Sequence, residues 1–347
     1  MRLNVDRTEH RLTGALDIPI SKYHVHRALI LAALASGTSH IHGRSDTRQA
    51  DWTVSALRRL GARIDVLDDG YVVQGTGGRF TLTDCGAEDG PDFDTIDVGS
   101  SGTTLYFLVG LAALADRSVT ITGMSYLRRR PIQALLAALG DLGVRLRSEH
   151  DDGRLPVRVE PGLPAGGDVA IAGTLSQWVS GLLLIAPFAR RDTTVHITGG
   201  PLNERTYVDL TIRMMRDWGL QVEHDADWRT FRVPANQHER AIDCPVPPDI
   251  GASAGGSAVC AIHPAHVLCR GQTAITAAAA DHPEAEFLDI AAAMGIDLRH
   301  DEDTGFLRVR SEGAPLRPVD VDCRPIPDLL PVLSTLATFA EGRSRLY

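Results

Sequence analysis

Hydrophobic and polar positions along the chain follow one pattern that occurs four times. An amphipathic helix ends in an apolar residue and a glycine, and a short strand follows. The runs are ALRRLGARIDV, LLAALGDLGVRLRSE, IRMMRDWGLQVEHD and IAAAMGIDLRHDED. Their glycines, Gly61, Gly143, Gly219 and Gly295, predict a left-handed residue that closes each helix before its strand. The near-even spacing predicts a structural repeat.

A second pattern recurs along the chain in phase with the first. The runs TSHIHG, SVTITG, TTVHITG and QTAITA have the composition of strands and precede the next module, and the terminal RSRLY begins a fifth such run. The alternation of helices and strands predicts an α/β protein built from copies of one βα module. By this rhythm we expect a further module to begin where the sequence ends.

Composition narrows the class of protein. The chain of 347 residues has room for two domains, and it contains no apolar run of the ~20 residues that a membrane helix needs. The first ten residues lack the apolar core of a signal peptide, so we expect a cytoplasmic protein without a membrane partner. The net charge of −9 opposes non-specific binding of nucleic acid. An anionic ligand would need a local cluster of positive charge.

Cysteine spacing and proline content add two expectations. The five cysteines are scattered and form no C-x-x-C pair, so we predict neither a disulfide framework nor a metal site. The run RVPANQHERAIDCPVPPDI is proline-rich and lacks a helical period, which is typical of a linker between domains.

Charged and flexible residues stand at the starts of two apolar helices. In PISKYHVHRALILAALASG, Lys22 and Arg27 occupy the first turns, where cations oppose the helix dipole unless an anion is bound there. In DVGSSGTTLYFLVGLAAL, Gly102 permits close approach of a ligand and Thr103 offers a hydroxyl. Solvated surface charges and an ordinary capping turn are the structural alternatives for these two stretches.

Three more helix starts carry polar side chains. Arg128, Arg129 and Arg130 precede Pro131, and arginine grips carboxylate or phosphate groups with paired hydrogen bonds; we expect one binder among the three. Ser176 and Gln177 begin SQWVSGLLLIAPFA. Asp328 begins DLLPVLSTLATFA, where a simple cap is the alternative. These residues lie at the same end of equivalent helices, so we expect them to converge.

With these motifs in view, the chain resembles the enolpyruvyl transferase family, and within it the 5-enolpyruvylshikimate-3-phosphate synthases. The runs SKYHVHRALILAALASGT, GSSGTT, LRRRPI, SQWVSGLLLIAP, DIGASA and IPDLLPVLSTLATFAEG follow the family's order over the whole chain. The resemblance implies two domains made of repeated βαβαββ units. We expect a discontinuous first domain of residues 1–18 and 245–347, a second domain of residues 19–235, and a linker of residues 236–244.

The resemblance also implies functional roles. The donor would be phosphoenolpyruvate and the acceptor a shikimate-type ring acid, with no cofactor. Residues matching family positions that contact phosphoenolpyruvate are Lys22, Gly102, Arg130 and Gln177. Residues matching ring binders are Arg27, Ser176 and Gln177, and Thr103 belongs to the same binding set. Lys22 is similar to a residue of proton transfer and Asp328 to a general base. A related family, the UDP-N-acetylglucosamine enolpyruvyl transferases, is disfavoured because Tyr23 and Ser125 replace its asparagine and catalytic cysteine.

Several positions depart from the family pattern. Tyr23 replaces a serine, Tyr106 an arginine, Leu175 a serine of the Ser-Ser-Gln motif, and Glu204 falls near another serine expected to hold a phosphate. A leucine and a carboxylate would weaken binding of a dianion, so we expect the ring substrate to lack the 3-phosphate.

Three functions are compatible with these departures. They are enolpyruvyl transfer, elimination of water from unphosphorylated shikimate, and ligand binding without catalysis. The resemblance also implies that a last module, which completes the phosphoenolpyruvate site in the family, lies outside the sequence. Either a shortened chain or a diverged relative explains this, and the upstream departures favour divergence.

Overall fold

The computed structural model describes residues 12–83, 94–252, 255, 265–270, 282–300, 307–311 and 314–347. They divide into two compact units. Residues 21–246 form the central unit, and residues 1–20 with 247–347 form the terminal unit.

The strands alternate with helices along the described chain. The strands are β1 Leu12–Asp17, β2 Thr38–His42, β3 Arg63–Val66, β4 Gly70–Gln74, β5 Thr95–Asp97, β6 Val119–Thr122, β7 Leu146–Ser148, β8 Val157–Val159, β9 Gly167–Ala172, β10 Thr193–Thr198, β11 Glu223–His224, β12 Thr230–Val233, β13 Asp243–Pro245, β14 Ala265–Arg270, β15 Asp297–His300, β16 Leu307–Ser311, β17 Asp320–Val321 and β18 Arg345–Leu346. The helices are α1 Lys22–Leu34, α2 Arg48–Arg59, α3 Gly102–Leu111, α4 Ser125–Arg128, α5 Gln133–Asp141, α6 Ser176–Ile185, α7 Arg205–Asp217, α8 Glu286–Met294 and α9 Leu330–Ala337. Short 3-10 helices lie at Ala112–Leu114, Ala186–Phe188 and Pro327–Leu329.

The central unit contains three four-stranded sheets of one design. Their strand orders are β13-β2-β4-β3, β5-β6-β8-β7 and β9-β10-β12-β11. In each sheet the first two strands are parallel and the other pairs are antiparallel. The repeat predicted from the hydrophobic pattern is therefore confirmed in this unit.

The predicted linker is part of the central unit. Residues 243–245 form β13, which pairs in parallel with β2 and supplies the first strand of the first module. Arg240 and Gln237 also donate backbone hydrogen bonds within this unit, to Trp218 and Pro187. The assignment of 236–244 as a linker was wrong, because proline-rich sequence suggested an open connection where the chain returns to complete a sheet.

Three helices of the central unit are buried on every side. Beyond Arg27, Thr104 and Ser180, the helices α1, α3 and α6 are apolar all round, which is typical of helices in the centre of a domain. Helix α3 packs closely on α6 because position 181 is glycine; a Cβ atom there would lie 2.3 Å from the carbonyl oxygen of Tyr106. The amphipathic helices α2 and α7 bury one face each.

The four repeat glycines adopt the predicted left-handed conformation. Their φ angles are +98° at Gly61, +83° at Gly143, +89° at Gly219 and +94° at Gly295. Each follows the last turn of a helix and precedes a strand or an extended segment. A Cβ atom at Gly61 would also lie 2.2 Å from the carbonyl oxygen of Thr81, so this position requires glycine for two reasons.

The terminal unit repeats the same design in part. Its four-stranded sheet has the order β1-β14-β16-β15, with β1 and β14 parallel. The predicted strand QTAITA lies outside the described residues, and the strand that pairs with β1 is Ala265–Arg270, just ahead of it. Helices α8 and α9 bury Phe287, Met294, Leu333 and Leu336 in one core. Strands β17 and β18 pair in parallel on either side of α9.

Candidate active site

Lys22 is the first residue of α1. Its side chain is partly exposed, and its Nζ atom lies 4.9 Å from the centre of the Tyr23 ring. The hydroxyl of the preceding residue, Ser21, does not cap a backbone N–H group of α1 but lies 2.9 Å from His24 Nδ1, and the first turn holds no acidic residue. Lys22 is also the only lysine in the whole sequence, in which arginine supplies every other long cationic side chain.

Arg27 lies inside the central unit rather than at its surface. Its side chain is only 2% exposed, and burial lowers its pKa to about 9. The guanidinium donates to the carbonyl oxygens of Tyr23 and Tyr207 at 2.8 and 3.0 Å and to Thr211 Oγ1 at 2.7 Å. It also lies 5.1 Å from the Phe107 ring centre. In this structure three of the five N–H groups of Arg27 join α1 to α7, and its role in ring binding stays a prediction.

The glycine-rich turn begins α3 as predicted. Ser101 is the N-cap, and its hydroxyl accepts a hydrogen bond from the Thr104 N–H group at 3.1 Å. Gly102 follows, and a Cβ atom there would lie 3.7 Å from Arg130 Nη1 and 3.2 Å from the Tyr106 ring. The structure therefore brings together two predicted binding residues, Gly102 and Arg130.

The three consecutive arginines have different partners. Arg128 donates from Nε to the carbonyl oxygen of Gly123 at 2.6 Å, and Arg129 donates to that of Ser125 at 3.3 Å. The guanidinium carbon of Arg130 instead lies 5.4 Å from the Tyr126 ring centre, and the Tyr126 hydroxyl donates to the Ser100 carbonyl. Arg130 is thus the arginine of the three that lies beside Gly102, and its role as a binder stays a prediction.

Helices α3 and α6 meet at their first turns. Gln177 Nε2 donates to Thr103 Oγ1 at 2.9 Å, so two more predicted binding residues are in contact. Behind them, Tyr106 and Trp178 form an edge-to-face pair with ring centres 6.4 Å apart. The sequence did not single out this aromatic pair, because neither residue belongs to a polar motif.

Ser176 is held by a carboxylate from another module. Glu204 Oε2 accepts hydrogen bonds from the Ser176 hydroxyl at 2.5 Å and from the Ser176 N–H group at 3.1 Å. Leu175, the N-cap of α6, has no side-chain acceptor to offer. The start of α6 is therefore capped by Glu204, a contact between residues 28 positions apart.

A buried chain of hydroxyl groups connects these helix starts. His26 Nδ1 lies 2.7 Å from Thr53 Oγ1, which lies 2.6 Å from Thr104 Oγ1, which donates to Ser101 Oγ at 2.7 Å. Burial, with a smaller contribution from the charge of Arg27, lowers the pKa of His26 to about 3. The ring is neutral at physiological pH, and the chain fixes α1 against α2 and α3.

Asp328 belongs to the terminal unit. It lies in the 3-10 helix Pro327–Leu329, which leads directly into α9, and it is exposed. The predicted position at a helix start is confirmed, whereas its role in catalysis stays a prediction.

One cluster in the terminal unit has metal-binding residue types. Asp249, His282 and Glu284 are buried, and their possible ligand atoms lie within 4.8 Å of one another. His282 Nε2 lies 3.4 Å from the Ile250 nitrogen and Nδ1 lies 3.2 Å from the Glu284 nitrogen. The ring's lone pair already accepts a backbone hydrogen bond, which a metal would have to displace. The cluster supports no metal assignment.

Comparison with known proteins decides the family. Residues 7–347 match the EPSP synthase (3-phosphoshikimate 1-carboxyvinyltransferase) family. The chain belongs to the EPSP synthase family. It is therefore a member of a transferase family, and the recognition made from its motifs is confirmed.

The names of individual relatives agree with the assignment to the EPSP synthase family. A 3-phosphoshikimate 1-carboxyvinyltransferase of Acetivibrio thermocellus is 34% identical over 97% of this chain and 74% of its own length. The enzyme of that name from Methanocaldococcus jannaschii is 32% identical over 100% and 77%. The chain thus spans about three quarters of the length of these relatives.

Solved structures support the fold. EPSP synthase from Acinetobacter baumannii superposes with a TM-score of 0.77 and 23% identity, covering 97% of this chain and 73% of that one. The enolpyruvyl transferase NikO from Streptomyces tendae gives a TM-score of 0.72 and 20% identity, covering 97% and 76%. Within the described residues, no helix is long and apolar enough to cross a membrane.

Proposed function

We propose that this EPSP synthase family member transfers the enolpyruvyl group of phosphoenolpyruvate to a hydroxyl of a shikimate-type ring acid in the cytoplasm. The observation that carries the proposal is the joint placement of Gly102 beside Arg130 and of Thr103 beside Gln177, at the first turns of α3 and α6. Relatives at 32–34% identity are named 3-phosphoshikimate 1-carboxyvinyltransferase. The comparisons favour neither elimination nor binding without catalysis.

The residues supply complementary charge for the donor. Phosphoenolpyruvate carries a phosphate and a carboxylate, and Arg130 and Lys22 are the cations proposed to bind them. Gly102 leaves the backbone beside Arg130 free of a side chain, so a phosphate group can approach the start of α3. Gln177 and Ser176 are proposed to orient the ring acid through hydrogen bonds.

The reaction needs two proton transfers in its addition step and one in its elimination step. The ring hydroxyl adds to C2 of phosphoenolpyruvate as its proton passes to a base, proposed to be Asp328, and C3 gains a proton to become a methyl group. The resulting tetrahedral adduct then loses phosphate as one methyl proton returns, which restores the carbon–carbon double bond. We assign Lys22 to proton transfer at C3, because a lysine beside bound anions can donate and recover a proton.

The unique lysine gives a direct test of donor binding. An amine-reactive reagent can modify only Lys22 and the N-terminal amine, and peptide mapping separates the two products. We expect phosphoenolpyruvate to slow modification of Lys22 at least tenfold and to leave the N-terminal amine unchanged. Replacing Arg130 with methionine should remove this protection, whereas replacing Arg147, an exposed arginine of β7, with methionine should not.

Turnover tests the reaction itself. Wild-type protein should release inorganic phosphate from phosphoenolpyruvate only when shikimate or shikimate 3-phosphate is present, with a product heavier by one enolpyruvyl group. The variants Lys22→Arg and Asp328→Asn should lower the rate at least 100-fold. Conversion of either ring acid without phosphoenolpyruvate would refute the transfer, and so would a complete lack of product with both.

A further inference from the structure

Tyr106 of α3 carries a hydroxyl group that the proposed mechanism does not use. The residue is 3% exposed, and its hydroxyl forms no hydrogen bond with any residue that the structure describes. Buried polar groups in folded proteins are nearly always paired, so an unpaired hydroxyl needs an explanation. The oxygen is not one of the fully enclosed side-chain atoms that lack a partner. A bound molecule can therefore reach it.

The phenol ring of Tyr106 points back to the first residue of its own helix. Side chains of α-helices lean towards the N-terminus, and Tyr106 follows Gly102 by about one turn. Measured from the place that a Cβ atom would take at Gly102, the ring carbons Cε2 and Cζ lie at 3.2 and 3.8 Å, and Arg130 Nη1 lies at 3.7 Å. Because Cζ bears the hydroxyl, this group and the Arg130 guanidinium both lie near the start of α3.

Packing holds the Tyr106 ring in this orientation. The ring meets that of Trp178 edge to face, with centres 6.4 Å apart and planes at 83°. The backbone of Tyr106 is fixed as well, because α6 packs closely against its carbonyl group at Gly181. A donor that is already in place loses little freedom when a ligand binds, so its hydrogen bond contributes more to affinity.

The other groups at the start of α3 are also hydrogen-bond donors. The N–H groups of Gly102 and Thr103 belong to the first turn, and they have no acceptor in the part of the chain that the structure describes. The guanidinium of Arg130 donates no hydrogen bond to a described residue either, and its contact is with the face of the Tyr126 ring. Donors of this kind, one of them charged, suit the oxygens of a phosphate monoester.

We propose that the Tyr106 hydroxyl donates a hydrogen bond to the phosphate group of phosphoenolpyruvate, beside the Arg130 guanidinium and the first N–H groups of α3. The unpaired, buried hydroxyl is the observation that points to a ligand at this helix start. Tyr106 thus adds a neutral donor to the cations already assigned to the donor site. The inference rests on the proposed function for the identity of the phosphate compound.

Calorimetric titration of Tyr106→Phe tests the proposal, because this variant keeps the ring and its contact with Trp178 and loses only the hydroxyl. We expect at least fivefold weaker binding of phosphoenolpyruvate and of inorganic phosphate than in wild type, and less than a twofold change for shikimate 3-phosphate. Tyr71→Phe is the matched control: Tyr71 is equally buried in the same unit, and its hydroxyl is bonded to Ser45. It should change none of these affinities.

Thermal unfolding separates a binding role from a structural one. Since the Tyr106 hydroxyl has no partner among the described residues, Tyr106→Phe should leave the midpoint of unfolding unchanged or higher, whereas Tyr71→Phe should lower it. A large loss of stability in Tyr106→Phe would show that the hydroxyl supports the fold, and would overturn the proposal.

The binding data can overturn it in three further ways. These are equal affinity of Tyr106→Phe and wild type for phosphoenolpyruvate, a weakening confined to shikimate 3-phosphate, which would place the hydroxyl at the acceptor's phosphate, and no binding of phosphoenolpyruvate or inorganic phosphate to wild type. Weaker phosphoenolpyruvate binding by Tyr106→Phe, in a protein that forms no product with either ring acid, would refute the proposed transfer and leave this inference standing.

Discussion

Single buried polar residues organise the centre of the central unit. Arg27 reads as a ligand-binding arginine in the sequence, because it follows Lys22 by little more than one helical turn. In the structure it donates three hydrogen bonds within the protein and is almost fully buried. The sequence shows which helix carries the residue but not which neighbours surround it, because Tyr207 and Thr211 come from a distant module.

Replacing Arg27 with alanine should separate stability from binding. We expect Arg27→Ala to lower the free energy of unfolding by about 3 kcal/mol, since it leaves a cavity and removes hydrogen bonds made by a charged group. Urea unfolding measures the change, with Arg190→Ala, at an exposed arginine of the same unit, as the control. Unchanged stability together with a large loss of ligand binding would instead support the ring-binding role predicted from the sequence.

Two buried titratable residues make opposing contributions to the pH dependence of the protein's stability. Burial lowers the pKa of His26 from 6.5 to about 3 and raises the pKa of Glu239 from 4.5 to about 7. Unfolding lets His26 gain a proton below pH 6.5, so its contribution to stability is lost as pH falls from about 6.5 towards 3. Unfolding lets Glu239 release a proton, so its contribution is lost as pH rises from about 4.5 through 7.

Single variants should reveal these opposed dependences of the free energy of unfolding on pH. Relative to wild type, Glu239→Gln should gain about 2 kcal/mol of unfolding free energy between pH 5.0 and 6.5, and His26→Asn should lose about the same over that interval. Urea unfolding at several pH values measures both. If plots of unfolding free energy against pH ran parallel for the two variants, one of the two side chains would be accessible to solvent in the folded protein.

At the scale of elements, two glycines within helices of the central unit have opposite surroundings, one crowded and one open. Gly181 lets α6 approach α3, and a Cβ atom there would lie 2.3 Å from a backbone oxygen. Gly140 lies within α5, where a Cβ atom would meet nothing within 4 Å. The same substitution should therefore have opposite effects at the two sites.

We expect Gly140→Ala to stabilise the protein by about 0.5–1 kcal/mol through helix propensity. Gly181→Ala should destabilise it by about 2–3 kcal/mol because α3 and α6 must separate. Thermal unfolding measures both, and protection of Lys22 by phosphoenolpyruvate reports on the site. A stabilising Gly181→Ala would show that the helices are not in close contact.

The sequence predicts local features of these elements better than long-range ones. The four helix-ending glycines and the strands containing Ile41, Ile121 and Ile197 are set by neighbouring residues, and all are found in the structure. Strand β13 was missed because three residues ending in proline carry almost no strand signal. The sequence shows Glu204 as a departure from the family pattern. Its hydrogen bonds to Ser176, however, depend on a left-handed backbone conformation that no sequence motif predicts.

At the scale of the whole molecule, the tryptophans, which serve as intrinsic fluorescence probes, are unevenly distributed between the two units. Trp52, Trp178, Trp218 and Trp228 all belong to the central unit, so tryptophan fluorescence reports on that unit alone. Far-ultraviolet circular dichroism reports on helices of both units. The larger central unit buries a greater fraction of its surface and should be the more stable.

Urea unfolding followed by both signals should therefore give curves that do not coincide. We expect the circular dichroism curve to contain an early phase that fluorescence lacks, from the terminal unit. Coincident curves with one midpoint would show instead that the two units unfold as one cooperative structure.

The return of the chain through β13 also affects how the protein can be made. Synthesis proceeds from the N-terminus, so β2 leaves the ribosome before two whole modules have been translated, and its partner Asp243–Pro245 comes last. Through that interval one edge of β2 has no strand to pair with, and such edges invite pairing with other chains. The module that begins the central unit is thus the last to be completed, and the nascent chain must hold an open sheet until residue 245 has emerged.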